Sequence, residues 1–195
     1  MKKSIFTILL FLIGTIIISS SRSMIKSNGA PVASTGAPKD MTCAKSGCHE
    51  GSMINTGEGQ LNFTFNNGNH TFIAGKTYPI TIELKQKDIH RFGFQLVAIN
   101  DADSSNSGNI TITDALRTQI FQGVKQNSDR QYVTYKYLGT EQVDNGVGRW
   151  TFNWTAPKNI AGNITFYYGA IAANNDGTDS GDWVYHQKTQ ISPQN

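Results

Sequence analysis

The sequence predicts an all-β domain, an antiparallel β-sandwich, on three observations. Apolar side chains recur at every second position in a series of short runs, which is the period of a half-buried strand. Clusters of Asn, Asp, Gly and Ser separate those runs and carry the chemistry of tight connections. Beyond the amino-terminal segment no long 3.6-residue pattern interrupts them. Seven or eight short strands without helices fit two packed sheets.

Taken in order, residues 1–23 read as a secretory signal. Lys2 and Lys3 form a basic start, Ile5 to Ile18 is almost wholly apolar, and Ser19, Ser20 and Ser21 supply the small residues a signal peptidase accepts. That apolar run is shorter than the ~20 residues a spanning helix needs. Cleavage is therefore expected, with no membrane span in the mature protein and an extracytoplasmic location: secreted, periplasmic or at the cell surface; an uncleaved amino-terminal anchor is the alternative. Residues 24–58 are expected to form an extended arm, since Ala30-Pro31 and Ala37-Pro38 disfavour helix and large apolar groups are few.

Residues 59–195 carry the sandwich. Leu61, Phe63 and Phe65 alternate with Asn62 and Thr64; Tyr78, Ile80, Ile82 and Leu84 alternate with Thr81 and Glu83; Phe92, Phe94 and Leu96 repeat the pattern. Tyr132 to Tyr137, Trp150 to Trp154, Ile164 to Tyr168 and Trp183 to Thr189 follow. Thr113 to Gln122 is expected to make a single helical turn. The Asn-x-Thr triplets at Asn62, Asn109, Asn153 and Asn163 place both polar residues on one face of a strand, the expected solvated side.

The whole chain carries a formal charge of +3, but Lys2, Lys3 and Arg22 leave with the signal, so the remainder is near neutral. No clustered positive footprint for nucleic acid exists. Hydrolytic motifs are missing too: there is no Gly-x-Ser-x-Gly, no His-Glu-x-x-His and no phosphate-binding glycine loop. The chain is not expected to be an enzyme.

The chemistry concentrates in Cys43-Ala-Lys-Ser-Gly-Cys48-His49, which holds both cysteines. Two thiols followed by an imidazole can alkylate the vinyl groups of a haem and ligate its iron through His49. The usual motif has two residues between the cysteines, whereas this one has four. A Cys43–Cys48 disulfide is the alternative in an oxidising compartment, and a zinc site with a remote fourth ligand is a third possibility that two cysteines alone support poorly.

Thr35-Gly-Ala-Pro38, the cysteine loop, Ala74 to Tyr78, Arg91 to Phe94, Arg130 to Thr134, Trp150 to Pro157, Ala172 to Asn174 and Ser180 to Asp182 follow one another in an order that resembles the bacterial reeler-like family, also called the choice-of-anchor V domain. The resemblance implies an immunoglobulin-like β-sandwich, exported and often displayed at the cell surface. Its relatives commonly carry a tighter Cys-x-x-Cys-His segment that looks like c-type haem attachment, which implies cofactor-binding roles for Cys43, Cys48 and His49. They often have histidine where this chain has Tyr135.

For a distal ligand to the iron, His90 and His70 rank ahead of His186, while Met53 lies too close to His49 in sequence to reach the other side of a porphyrin. Asp101, Asp103 and Asn106, or Asp176, Asp179 and Asp182, offer oxygens to calcium, though such residues serve connections between strands equally well. The functional expectation is an exported protein with covalent haem c, in electron transfer or redox sensing with an unknown redox or cell-surface protein partner. The alternative is a haem-free adhesion or interaction module with a Cys43–Cys48 disulfide.

Overall fold

The computed structural model describes residues 28–45, 49, 53–178 and 181–194. The signal segment 1–23 and Cys48 lie outside the described residues. The alternating runs become strands β1 (Gln60–Phe65), β2 (Thr71–Phe72), β3 (Thr77–Lys85), β4 (Arg91–Asn100), β5 (Asn109–Ile112), β6 (Thr118–Gln122), β7 (Gln131–Tyr135), β8 (Val147–Thr155), β9 (Ile164–Ala173) and β10 (Trp183–Pro193). They form a four-stranded sheet ordered β1-β3-β8-β5 and a six-stranded sheet ordered β2-β10-β9-β4-β7-β6. All pairings are antiparallel except that of β2, which runs parallel to the end of β10. Among the described residues no helix is long and apolar enough to cross a membrane.

Between the sheets lies an aromatic core built from alternate positions of facing strands. Trp154 of β8 is its centre, with ring centroids of Phe65, Phe72 and Phe166 at 6.0, 5.7 and 5.3 Å. Trp150 stacks on Phe94 at 4.5 Å. Each indole N–H finds a carbonyl, Gly139 for Trp150 and Ser107 for Trp154, so neither polar edge is stranded in the interior.

Two local expectations change. Thr113 to Gln122 contains no helix; Thr118–Gln122 is the edge strand β6, paired along its length with β7. An edge strand is covered only in part, so its sequence lacks the clean alternation that marks a strand. Thr165 of the Asn163-Ile-Thr165 triplet is buried and not solvated. Its face of the six-stranded sheet is covered from outside.

The cover is the arm. Along β4 every residue from Phe92 to Ile99 is buried, because Phe92, Phe94, Leu96 and Ala98 face the aromatic core while Val97 and Ile99 pack beneath Ala37, with Val32 and Ala33 alongside. The six-stranded sheet is thus a middle layer.

Candidate functional site

The arm is shaped before it is fastened. The Gly36 N–H donates to the Met41 carbonyl at 2.8 Å, Thr35 bridges Thr42, and the Asp40 N–H returns to the Ala37 carbonyl at 2.8 Å. Pro38 and Lys39 occupy the centre of that last turn, with Lys39 at φ 70°, as a type II turn requires of its third residue. Asp40 is thereby aimed at the sheet. Its Oδ1 accepts hydrogen bonds from Asn127 Nδ2, Arg130 Nη1 and the Tyr132 hydroxyl, each at 2.9 Å, and its Oδ2 accepts one from the Thr35 hydroxyl at 2.6 Å. Both partners of the ion pair are enclosed, with side chains 0% and 2% exposed. Burial pushes the Asp40 carboxyl above its ordinary range, and the bonds from Thr35, Tyr132 and Arg130 oppose that shift.

Upstream, Gln95 of β4 fastens the arm again. Its side-chain oxygen accepts the Ser34 N–H at 2.8 Å, and its amide nitrogen donates to the carbonyls of Ala30 and Pro31 at 3.2 and 2.9 Å.

Downstream the same face receives the cysteine loop. Cys43 is 3% exposed and packs with Ile171 of β9 and Val184 of β10, its sulfur 3.5 Å from the Ser34 carbonyl oxygen. The Cys43 N–H donates to His186 Nε2 at 3.2 Å, and His186 Nδ1 lies 3.2 Å from the Thr35 carbonyl. These contacts assign the tautomer, since Nε2 must accept and Nδ1–H must donate. The ring lies over Gly169, where a Cβ would fall 2.4 Å from His186 Cε1. Only glycine leaves room there. His49 follows, with Nδ1 2.8 Å from Asp182 Oδ2, while Asp182 Oδ1 accepts the Asn174 N–H at 3.0 Å and closes the β9–β10 connection.

Cys43, His49, Asp182 and His186 therefore gather around one end of the outer face, although Cys43 and His186 stand 143 positions apart. Neither His70 nor His90 is placed against Cys43 by its described contacts. His90 is exposed just before β4 with Nδ1 3.2 Å from Gln142 Oε1. His70 is exposed and joins the chain at Ser192, six residues beyond His186 along β10, or about 20 Å at the rise of a strand. Met53 is exposed. The candidate calcium residues have other partners: Asp103 accepts from Ser105 and Asp176 from Thr178 within their own loops, and Asp101 accepts from Gln190 on β10. Asp179 lies outside the described residues, and among those described no three His, Cys, Asp or Glu side chains are placed to share a metal ion.

No family model and no curated protein sequence matches the chain. Among solved structures it is similar to the reeler domain of human F-spondin, with a TM-score of 0.51 and 17% identity over 73% of this chain and 95% of that one. The fold is a reeler-like β-sandwich. A structure of the Reelin-N domain of F-spondin gives 0.50 and 18% identity, covering 74% and 93% of the two chains. A cohesin module from a Clostridium perfringens family 33 glycoside hydrolase gives 0.46 and 12%, covering 69% and 96%.

Within this reeler-like sandwich the clasp on Cys43 has a definite pH dependence. Burial holds His186 below its ordinary pKa of 6.5, opposed only by its bond to Thr35. The folded state then binds the proton less readily than the unfolded chain, so the stabilisation is complete above pH 6.5 and is lost as pH falls through the lowered value. Protonation also removes the lone pair that accepts the Cys43 N–H. We expect His186→Gln to flatten the acid side of the stability profile below pH 6.5, read as the urea midpoint against pH.

Proposed function

We propose that the chain is an exported, non-catalytic binding module in which a Cys43–Cys48 disulfide closes the loop that ends the arm. The observation that supports this most directly is the burial of Cys43. Its sulfur sits beneath the arm, against Ile171, Val184 and the Ser34 carbonyl, in the dry setting of a structural cysteine. A thioether to a porphyrin needs that sulfur at the margin of a wide planar ring, and the enclosed position of Cys43 does not fit this without lifting the arm.

Haem c held by Cys43, Cys48 and His49 is the second reading. One observation favours it: the Asp182 carboxylate stands 2.8 Å from His49 Nδ1, which leaves Nε2 as the nitrogen available to an iron. When bound, such a group would supply one-electron chemistry. The burial of Cys43 supports the first reading over the second.

Expression with a signal sequence in a host equipped for cytochrome c maturation separates them. The expected product is colourless, weighs two hydrogens less than the reduced chain and resists thiol alkylation. Reduction should cost about 2 kcal/mol of stability, the entropy of so short a closed loop. A Soret band with a haem mass that survives acid and organic extraction would overturn the first reading in favour of the second.

A further inference from the structure

A groove of about 630 Å³ opens at one end of the four-stranded sheet, walled by the segment before β1, the β3–β4 turn and the loop that leads into β8, with Trp183 at its rim. Trp183 is 40% exposed, in contrast to the buried Trp150 and Trp154. We infer that this groove binds a neutral polysaccharide, with one pyranose ring stacked on the Trp183 indole.

The walls are built in advance of any ligand. On one side Ile54 bridges Val184, and Asn55 both accepts the His186 N–H and donates to its carbonyl, at 2.9 and 3.0 Å. This pins the segment that continues into Gly57, whose backbone lies against the indole so closely that a Cβ would fall 2.9 Å from Cδ2 and Cε3. On the other side the Gln86 N–H donates to the Gly146 carbonyl at 2.8 Å, and Gly146, at φ 68°, leaves no room for a Cβ beside the Gln86 carbonyl. Tyr185 ties the two walls together. Its hydroxyl donates to Gln86 Oε1 at 2.6 Å and accepts the Gly59 N–H at 2.9 Å.

The lining chemistry selects the ligand. Glu58 and Asp88 are balanced by Lys85 and Lys87, so the groove has no net charge to offer a polyanion or a polycation. Gln60, Gln86 and Asn145 add amide groups that both donate and accept, which suits vicinal hydroxyls. Large apolar surface is confined to Trp183 and Val147, too little for an amphipathic helix but enough for one face of a sugar. The electron-rich face of an indole attracts the partly positive C–H groups of such a ring. A volume of this order lies in the range of small-ligand sites.

The test exploits the burial of the other two indoles, which makes Trp183 the accessible fluorophore. The full mature chain is titrated with xylan, mannan and mixed-linkage β-glucan, and is mixed with insoluble cellulose and chitin. At least one of these should blue-shift the emission or protect it from iodide quenching. Trp183→Ala should weaken that binding about tenfold or more with an unchanged melting temperature, and Asn145→Ala on the opposite wall should weaken it with the emission of Trp183 intact. Indifference to all five carbohydrates, or equal binding by both variants, would overturn the inference. It rests on the binding-module reading, and the two fail separately: a haem-bearing product overturns that reading, whereas a colourless, bridged protein that ignores every carbohydrate overturns this one alone.

Discussion

Replacement of Arg130 by alanine is expected to destabilise the fold by about 3–5 kcal/mol at neutral pH, a large share of the ~5–15 kcal/mol that a domain possesses. The arm would keep its hydrogen bonds from Thr35, Asn127 and Tyr132 to Asp40. It would lose the guanidinium charge paired with the buried carboxylate, together with the bonds from Arg130 to the Pro38 and Ser104 carbonyls. The sign of the pH dependence identifies the cause. Asp40 already sits above its ordinary 3.8 through burial, and without Arg130 it rises further, so the folded state takes up a proton more readily than the unfolded chain. Stability contributed by such a group is complete below 3.8 and is lost as pH rises through the raised value. The deficit of Arg130→Ala should therefore shrink on acidification, as measured by urea unfolding at a series of pH values. A deficit that stays constant would point to lost packing of the guanidinium stem instead. The double variant Asp40→Asn with Arg130→Met should recover part of the loss, giving a coupling energy that the single variants do not reveal.

The sandwich was legible because strands advertise themselves by period. Leu61, Phe63 and Phe65, or Trp150, Phe152 and Trp154, put every apolar group on one face, and those groups form the core. The middle layer was less legible, although its signal was present. Leu96-Val-Ala-Ile99 and Ala170-Ile-Ala-Ala173 are continuous apolar runs, the pattern of strands covered on both sides. What hid the cover was its composition. An arm of Gly, Ala, Pro, Ser and Thr has too little apolar surface to look like a layer, and it is held instead by two buried polar groups, Gln95 on β4 and Arg130 just before β7. Strands β5 and β6 were obscured for another reason: short edge strands are covered only in part and carry little periodicity.

The cysteine loop could be recognised from seven adjacent residues, but its surroundings could not. His186 reaches Cys43 because β10 returns antiparallel to β9 with His186 opposite Gly169, and Asp182 meets His49 at the connection that precedes that return. Both contacts are consequences of register, which local spacing does not contain. Sequence reasoning ranked His186 last among the histidines; a small residue opposite a histidine on a neighbouring strand was the clue available, and it has meaning only once the pairing is known. Trp183 was hidden in the opposite way. It continues the alternation of Tyr185 and so reads as core, yet it stands at the end of the sheet, where the partner layer has run out.

Trp154→Ala is expected to cost about 3–5 kcal/mol with no change in the chemistry of any site. The indole is fully buried, touches rings from both sheets and donates to the Ser107 carbonyl at 2.9 Å. Alanine removes those contacts and leaves a cavity that four rigid aromatic neighbours cannot easily close. Trp154→Phe should cost less, since the ring survives and the principal loss is the partner of a buried carbonyl, roughly 1–3 kcal/mol. Urea unfolding of both variants checks the order. The comparison with Trp183 then separates two uses of the same side chain on neighbouring sheets: at Trp154 stability falls and carbohydrate binding per folded molecule is preserved, whereas at Trp183 binding falls and stability is preserved. Equal stability losses at the two positions would mean that Trp183 closes the core, and that the groove beside it is only the place where packing ends.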